Sequence, residues 1–103
     1  MLVRDVRDAR ATAGRPGAFK PLMKDTNIVL YQAEWCPYCA RVRSKMTDML
    51  LDYKTINVPT AHADRQLVKD VSGQTGIPVM VDGDTTIADD DDAIIAYLEK
   101  KYA

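Results

Sequence analysis

The sequence predicts an α/β domain: a four-stranded mixed β-sheet with the order β-α-β-α-β-β-α and helices on its faces. Three observations lead there. Short apolar runs alternate with segments of helical periodicity. A strand–helix–strand opening gives a parallel pair with a right-handed crossover. Asp82-Gly83, between the third and fourth apolar runs, is a hairpin signal that makes the last two strands antiparallel. A chain of 103 residues has room for one such domain.

Residues 1–26 read as an appended segment, with the domain proper over 27–103. Leu2, Val3, Val6 and Ala9 allow a short amphipathic helix, and Gly14, Pro16, Gly17 and Pro21 then interrupt regular structure. The bland alternative is a frayed tail. Ile28-Val29-Leu30-Tyr31 suits a strand covered on both faces. A helical pattern runs from Cys36 to about Leu51, with Val42, Met46, Met49 and Leu50 on one face. Tyr53–Val58 alternates as the second strand. Pro59-Thr60 opens the next helix, with Thr60 as N-cap, Leu67, Val68 and Val71 as its apolar residues, and Gly73 as its C′ residue. Ile77–Val81 and Thr85–Ala88 form the third and fourth strands. The last helix spans about Asp90–Tyr102, with Ile94, Tyr97, Leu98 and Tyr102 inward.

Composition narrows the function. The net charge of −1 implies no broad basic surface, so nucleic acid is not an expected partner. No apolar stretch is long enough to cross a membrane. The N-terminus lacks a secretory signal, and Asp5 and Asp8 among its arginines argue against a mitochondrial presequence. A cytoplasmic location is the expectation. The two cysteines, Cys36 and Cys39, stand three positions apart. One such pair closes a tiny loop and cannot scaffold a secreted fold. With His62 as the lone histidine, a closed zinc site in one chain lacks ligands. Redox chemistry remains.

Cys36 falls where the first strand gives way to the first helix, and a helix N-terminus stabilises a thiolate through free N–H groups and its dipole. The thiolate is the attacking species in disulfide exchange. Cys39, one turn along, is placed to resolve a mixed disulfide. Pro37 fits the first helical turn. Pro78 opens an apolar strand, where proline marks an edge or a special turn. In this architecture its loop faces the two cysteines, and a cis Ile77–Pro78 bond is expected to turn the Ile77 backbone toward a substrate disulfide.

On these residues the chain resembles glutaredoxins, with a thioredoxin-like fold, over about residues 27–102. In its last third it is also similar to the N-terminal domain of glutathione S-transferases. Cys36-Pro37-Tyr38-Cys39 matches the dithiol motif, Thr75-Gly76-Ile77-Pro78 stands where the family has Thr-Val-Pro, and Asp82-Gly83-Asp84 through Ala93-Ile94-Ile95-Ala96-Tyr97-Leu98 matches the transferase pattern. The resemblance implies a thiol–disulfide oxidoreductase that reduces protein or glutathione mixed disulfides. Cys36 would be the nucleophile and Cys39 the resolving thiol. Tyr38 would flank the glutathione groove, and Arg65 would face the glycine carboxylate. Ile77 and Pro78 would pair with the ligand backbone, and Asp92 would take the γ-glutamyl amine. It further implies no bound cofactor, glutathione or another low-molecular-weight thiol as reductant, disulfide-bearing proteins as partners, and a monomer.

Three positions depart from the family: Ala33 replaces a lysine, Ala88-Asp89 replaces Gly-Gly, and Asp91 replaces the Ser or Thr for the γ-glutamyl carboxylate. With Glu34 beside Cys36, these changes share one sign and predict weakened glutathione binding. Plainer readings stand alongside. Acids at 89–92 suit a helix N-terminus. Arg65 and His62 read as solvated surface, and Trp35 reads equally as an aromatic packed beside the cysteines or as an ordinary half-buried one. Met46, Met49 and Met80 read as core filler. Rival functions are a glutathione-dependent iron–sulfur cluster module, a redoxin reset by thioredoxin reductase, and a transferase-like binding domain without redox work.

Overall fold

The computed structural model describes residues 23–103, so most of the helix and loop expected over 1–26 lies outside the described residues. The elements are β1 (Lys24–Gln32), α1 (Pro37–Asp48), β2 (Leu51–Asn57), a 3-10 turn (His62–Asp64), α2 (Gln66–Ser72), β3 (Val79–Asp82), β4 (Thr85–Ala88) and α3 (Asp91–Tyr102). The sheet order is β2-β1-β3-β4. β1 and β2 are parallel, and β1–β3 and β3–β4 are antiparallel. This is the mixed thioredoxin-like sheet that the sequence predicts.

β2 starts two residues earlier and ends one residue earlier than the expected Tyr53–Val58, and four further boundaries differ from expectation for local reasons. β1 begins at Lys24, not near Asn27. Lys24 N–H donates to Leu50 O (2.7 Å), and Thr26 Oγ1 donates to Asp52 O (2.6 Å), so a polar stretch is held as strand by pairing with β2. α1 ends at Asp48 because Leu50 is left-handed (φ 57); it turns the chain into β2 and leaves Leu50 exposed, off the expected apolar face. The second helix starts at Gln66, not Thr60, because the chain first wraps through the 3-10 turn around the Arg65 side chain. That shortening leaves Leu67 exposed while Val68 is buried. β3 begins at Val79, after a cis Ile77–Pro78 peptide bond. The expected stops hold: Gly73 is left-handed (φ 80) and its N–H donates to Lys69 O (2.8 Å).

Strand alternation divides the core in two. Ile28, Leu30 and Met80 meet Val42 and Met46 of α1 and Ile94 and Leu98 of α3 on one face. Tyr31 and Val79 meet Val68 of α2, together with both cysteines, on the other. The last helix is capped by Asp90, whose carboxylate accepts the Ala93 N–H (3.0 Å). Its far end is latched to β3. The buried Asp82 carboxylate accepts from Tyr97 Oη (2.8 Å), Tyr102 Oη (2.7 Å) and Lys101 Nζ (2.9 Å). Burial pushes the Asp82 carboxyl up, but those three donors together hold it below the ordinary carboxylate value. Among the described residues, no helix is long and apolar enough to cross a membrane.

Candidate functional site

β1 delivers the chain through Ala33-Glu34-Trp35 to the start of α1. Cys36 occupies the N-cap position with an extended backbone (φ −78, ψ 120), and Pro37 stands next to it in the first turn. The Cys36 N–H donates to Ala33 O (3.2 Å). Its Sγ accepts the Cys39 N–H at 3.4 Å, the role an oxygen side chain plays in an ordinary N-cap. Both cysteines are free thiols. Cys36 keeps 5% of its surface and lines a cleft of about 280 Å³, whereas Cys39 is wholly enclosed. Burial pushes the Cys39 thiol up to about 12, against a weaker opposing hydrogen bond at Ala33, and the neighbouring Cys36 adds to the rise. The pair is thus asymmetric, with one sulfur at the helix end facing the cleft and a neutral thiol behind it.

Trp35 and Tyr38 flank Cys36 on the cleft wall and are both largely exposed. Ile77, buried, lies across from them; it precedes the β1–β3 ladder, whose register begins at Val79. Pro78 lines a smaller neighbouring recess with Tyr38, Asp89 and Asp91. Arg65 is not solvated surface, although it lines the cleft. It is 3% exposed, and its guanidinium donates to Pro59 O (2.7 Å), Thr60 O (3.0 Å) and Thr75 O (2.9 Å). It therefore binds the loop before α2 to the loop that carries Ile77. Asp91 and Asp92 both pair with Arg41 of α1. Asp91 still borders the Tyr38–Pro78 recess, while Asp92 lies outside both recesses.

Two further residues join the site. His62 lines the cleft, with Nδ1 3.0 Å from Thr75 Oγ1; a lone exposed histidine in the sequence carries no signal of this. Asp89 lines both recesses and is left-handed (φ 53), with its N–H donating to Pro78 O (2.8 Å). Its carboxylate lies over Gly76, where a Cβ would come within 2.5 Å of it. The replacement of Gly-Gly by Ala88-Asp89 is the sequence trace of this position, since a left-handed residue is where glycine is favoured. Among the described residues, no group of three or more His, Cys, Asp or Glu side chains could hold a metal.

Comparison with known proteins agrees with the fold. A family model described as glutaredoxin matches residues 28–87. A glutaredoxin-like 8.6 kDa protein in the rubredoxin operon of Clostridium pasteurianum is 26% identical over 74 residues, covering 71% of this chain and 99% of that protein. Among solved structures, a glutathione transferase homologue from Drosophila mojavensis with bound glutathione is 28% identical at a TM-score of 0.68. Glutathione transferase E6 from Drosophila melanogaster is 29% identical at 0.66. Each match covers 75% of this chain, which spans only 36% of either transferase.

Proposed function

Because the chain belongs to the glutaredoxin family, we propose that it is a dithiol–disulfide oxidoreductase that reduces protein or glutathione mixed disulfides, with Cys36 attacking and Cys39 resolving. The observation that carries this reading is the asymmetric pair: Cys36 Sγ at the N-cap of α1 and open to the cleft, Cys39 enclosed one turn behind. The helix N-terminus favours negative charge on Cys36 Sγ. That thiolate attacks a substrate sulfur, the substrate S–S bond breaks, and one substrate thiol leaves. Cys39, losing its proton, then attacks Cys36 Sγ, expels the second thiol and leaves the protein oxidised by two electrons. Ile77 shares the cleft with Cys36, Pro78 lines the neighbouring recess, and Tyr38 borders both as a flat apolar wall. Glutathione or another low-molecular-weight thiol returns the pair to the dithiol.

The test is NADPH consumption with 2-hydroxyethyl disulfide and insulin as substrates, run in parallel with glutathione plus glutathione reductase and with thioredoxin reductase. Turnover in at least one system is expected, abolished by Cys36→Ser. No turnover in either, or full activity in Cys36→Ser, would overturn the proposal.

A further inference from the structure

We propose that Asp89 makes the cleft select disulfides that carry a protonated amine close to the sulfur pair. This rests on Cys36 being the attacking sulfur and adds a preference among its substrates. The charges around the cleft differ in what neutralises them. Arg65 is a cation that lines the same cleft, but little of its surface is open and its guanidinium is bonded to three carbonyls. Asp91 and Asp92 share a single arginine, Arg41. Glu34 is paired with Arg43 at 3.6 Å. The Asp89 carboxylate is exposed, lines the same cleft as Cys36, and has no ion-pair partner among the described residues.

Its backbone is held by the bond to Pro78 O, and its carboxylate fills the space above Gly76, which has no side chain. The acid is thus placed beside the Ile77–Pro78 backbone along which a disulfide ligand would lie. A substrate amine there meets an unshielded carboxylate, and a substrate carboxylate meets repulsion. A unit charge pair about 6 Å apart, at an effective dielectric between about 40 and 80, changes a rate or affinity by about three- to tenfold. The difference between a cationic and an anionic substrate is about the square of that.

Three small disulfides of similar size test this: cystamine (cationic), bis(2-hydroxyethyl) disulfide (neutral) and 3,3′-dithiodipropionate (anionic). The reduced protein is mixed with each in excess, quenched with acid, alkylated under denaturing conditions and weighed by mass spectrometry. Each reaction oxidises the protein dithiol to its disulfide and reduces one small disulfide to two thiols. Each rate is divided by that of the same disulfide with dithiothreitol, which removes intrinsic reactivity. The expected order is cationic, neutral, anionic, with a span of about ten- to a hundredfold, narrowing as salt is added.

In Asp89→Asn the cationic-to-anionic ratio should fall close to one. Asp48→Asn makes the same charge change at the far end of α1, about 18 Å away along the helix, and should keep the wild-type ratio. Equal normalised rates in the wild type, or a ratio unchanged in Asp89→Asn, would overturn the inference while leaving the redox reading intact. No reaction with any of the three would overturn both.

Discussion

Replacing Arg65 separates two roles that the residue could have. The resemblance places it at a ligand carboxylate, whereas the structure spends its donors on Pro59 O, Thr60 O and Thr75 O. Arg65→Met keeps most of the side-chain volume and removes all three bonds. A hydrogen bond from a charged donor contributes about 1.5–3 kcal/mol when its partner is left dry. Pro59 and Thr60 are exposed, so water can reach two of the carbonyls, and about 1 kcal/mol per bond is the better figure. The total is about 3 kcal/mol, which for a domain of this size lowers Tm by about 12–24 °C. Arg65→Lys places a point charge where a fork is needed and should recover about one bond's worth. Thermal unfolding of wild type and both variants, read by far-ultraviolet circular dichroism, measures the difference. A Tm within about 3 °C of wild type in Arg65→Met, with glutathione-dependent turnover lost, would refute the structural role and return Arg65 to the ligand.

Other outcomes rest on the same geometry. Burial holds the Cys39 thiol up at about 12, so iodoacetamide at pH 8 should modify Cys36 in the folded protein and leave Cys39 untouched; peptide mass spectrometry showing comparable labelling of both would contradict this. Against the upward push of burial, Tyr102, Lys101 and Tyr97 hold Asp82 below its unfolded value of about 3.9. Its stabilisation is therefore present above that value and lost as pH falls through the lower folded one. The stability gap between wild type and Asp82→Asn should be large at pH 7 and shrink below about pH 4, and urea titrations showing a pH-independent gap would exclude this sign. Loss of a lysine at Ala33 and gain of an acid at Asp89, unpaired among the described residues, should cost about 1–3 kcal/mol of glutathione affinity. Calorimetric titration onto Cys39→Ser should give binding weaker than micromolar, and micromolar affinity would rule out that penalty.

The strand–helix junction at Cys36 is legible in the sequence because it is local: an apolar run, a Pro in the first turn and a helical stripe fix it together. Pro78 and Gly73 are readable because each acts on its own backbone, Pro78 by restricting it and Gly73 by reaching the left-handed region that ends a helix. What the sequence hides is tertiary. Arg65 looks like surface because charge usually is, and only the folded chain brings three carbonyls from two loops around it. Leu50 and Leu67 look like core because they are apolar, but a left-handed turn at one and a shortened helix at the other direct them outward. The polar start of β1 has no apolar signal and is strand only through its partner. Asp89 is visible as a substitution, while its position over Gly76 depends on the Pro78 bond.

The enclosure of Cys39 has a consequence for timing in the proposed cycle. To reset the oxidised pair, an outside reductant can reach only Cys36, so Cys39 must depart as the leaving sulfur. Its surroundings disfavour the anion it would become, and a leaving thiol of high pKa leaves slowly. The same surroundings keep the Cys39 thiolate scarce when it must attack in the oxidising half-cycle, so burial slows the cycle in both directions at the steps where Cys39 carries the charge. The enclosed sulfur, rather than the one that faces the cleft, then sets the pace of turnover.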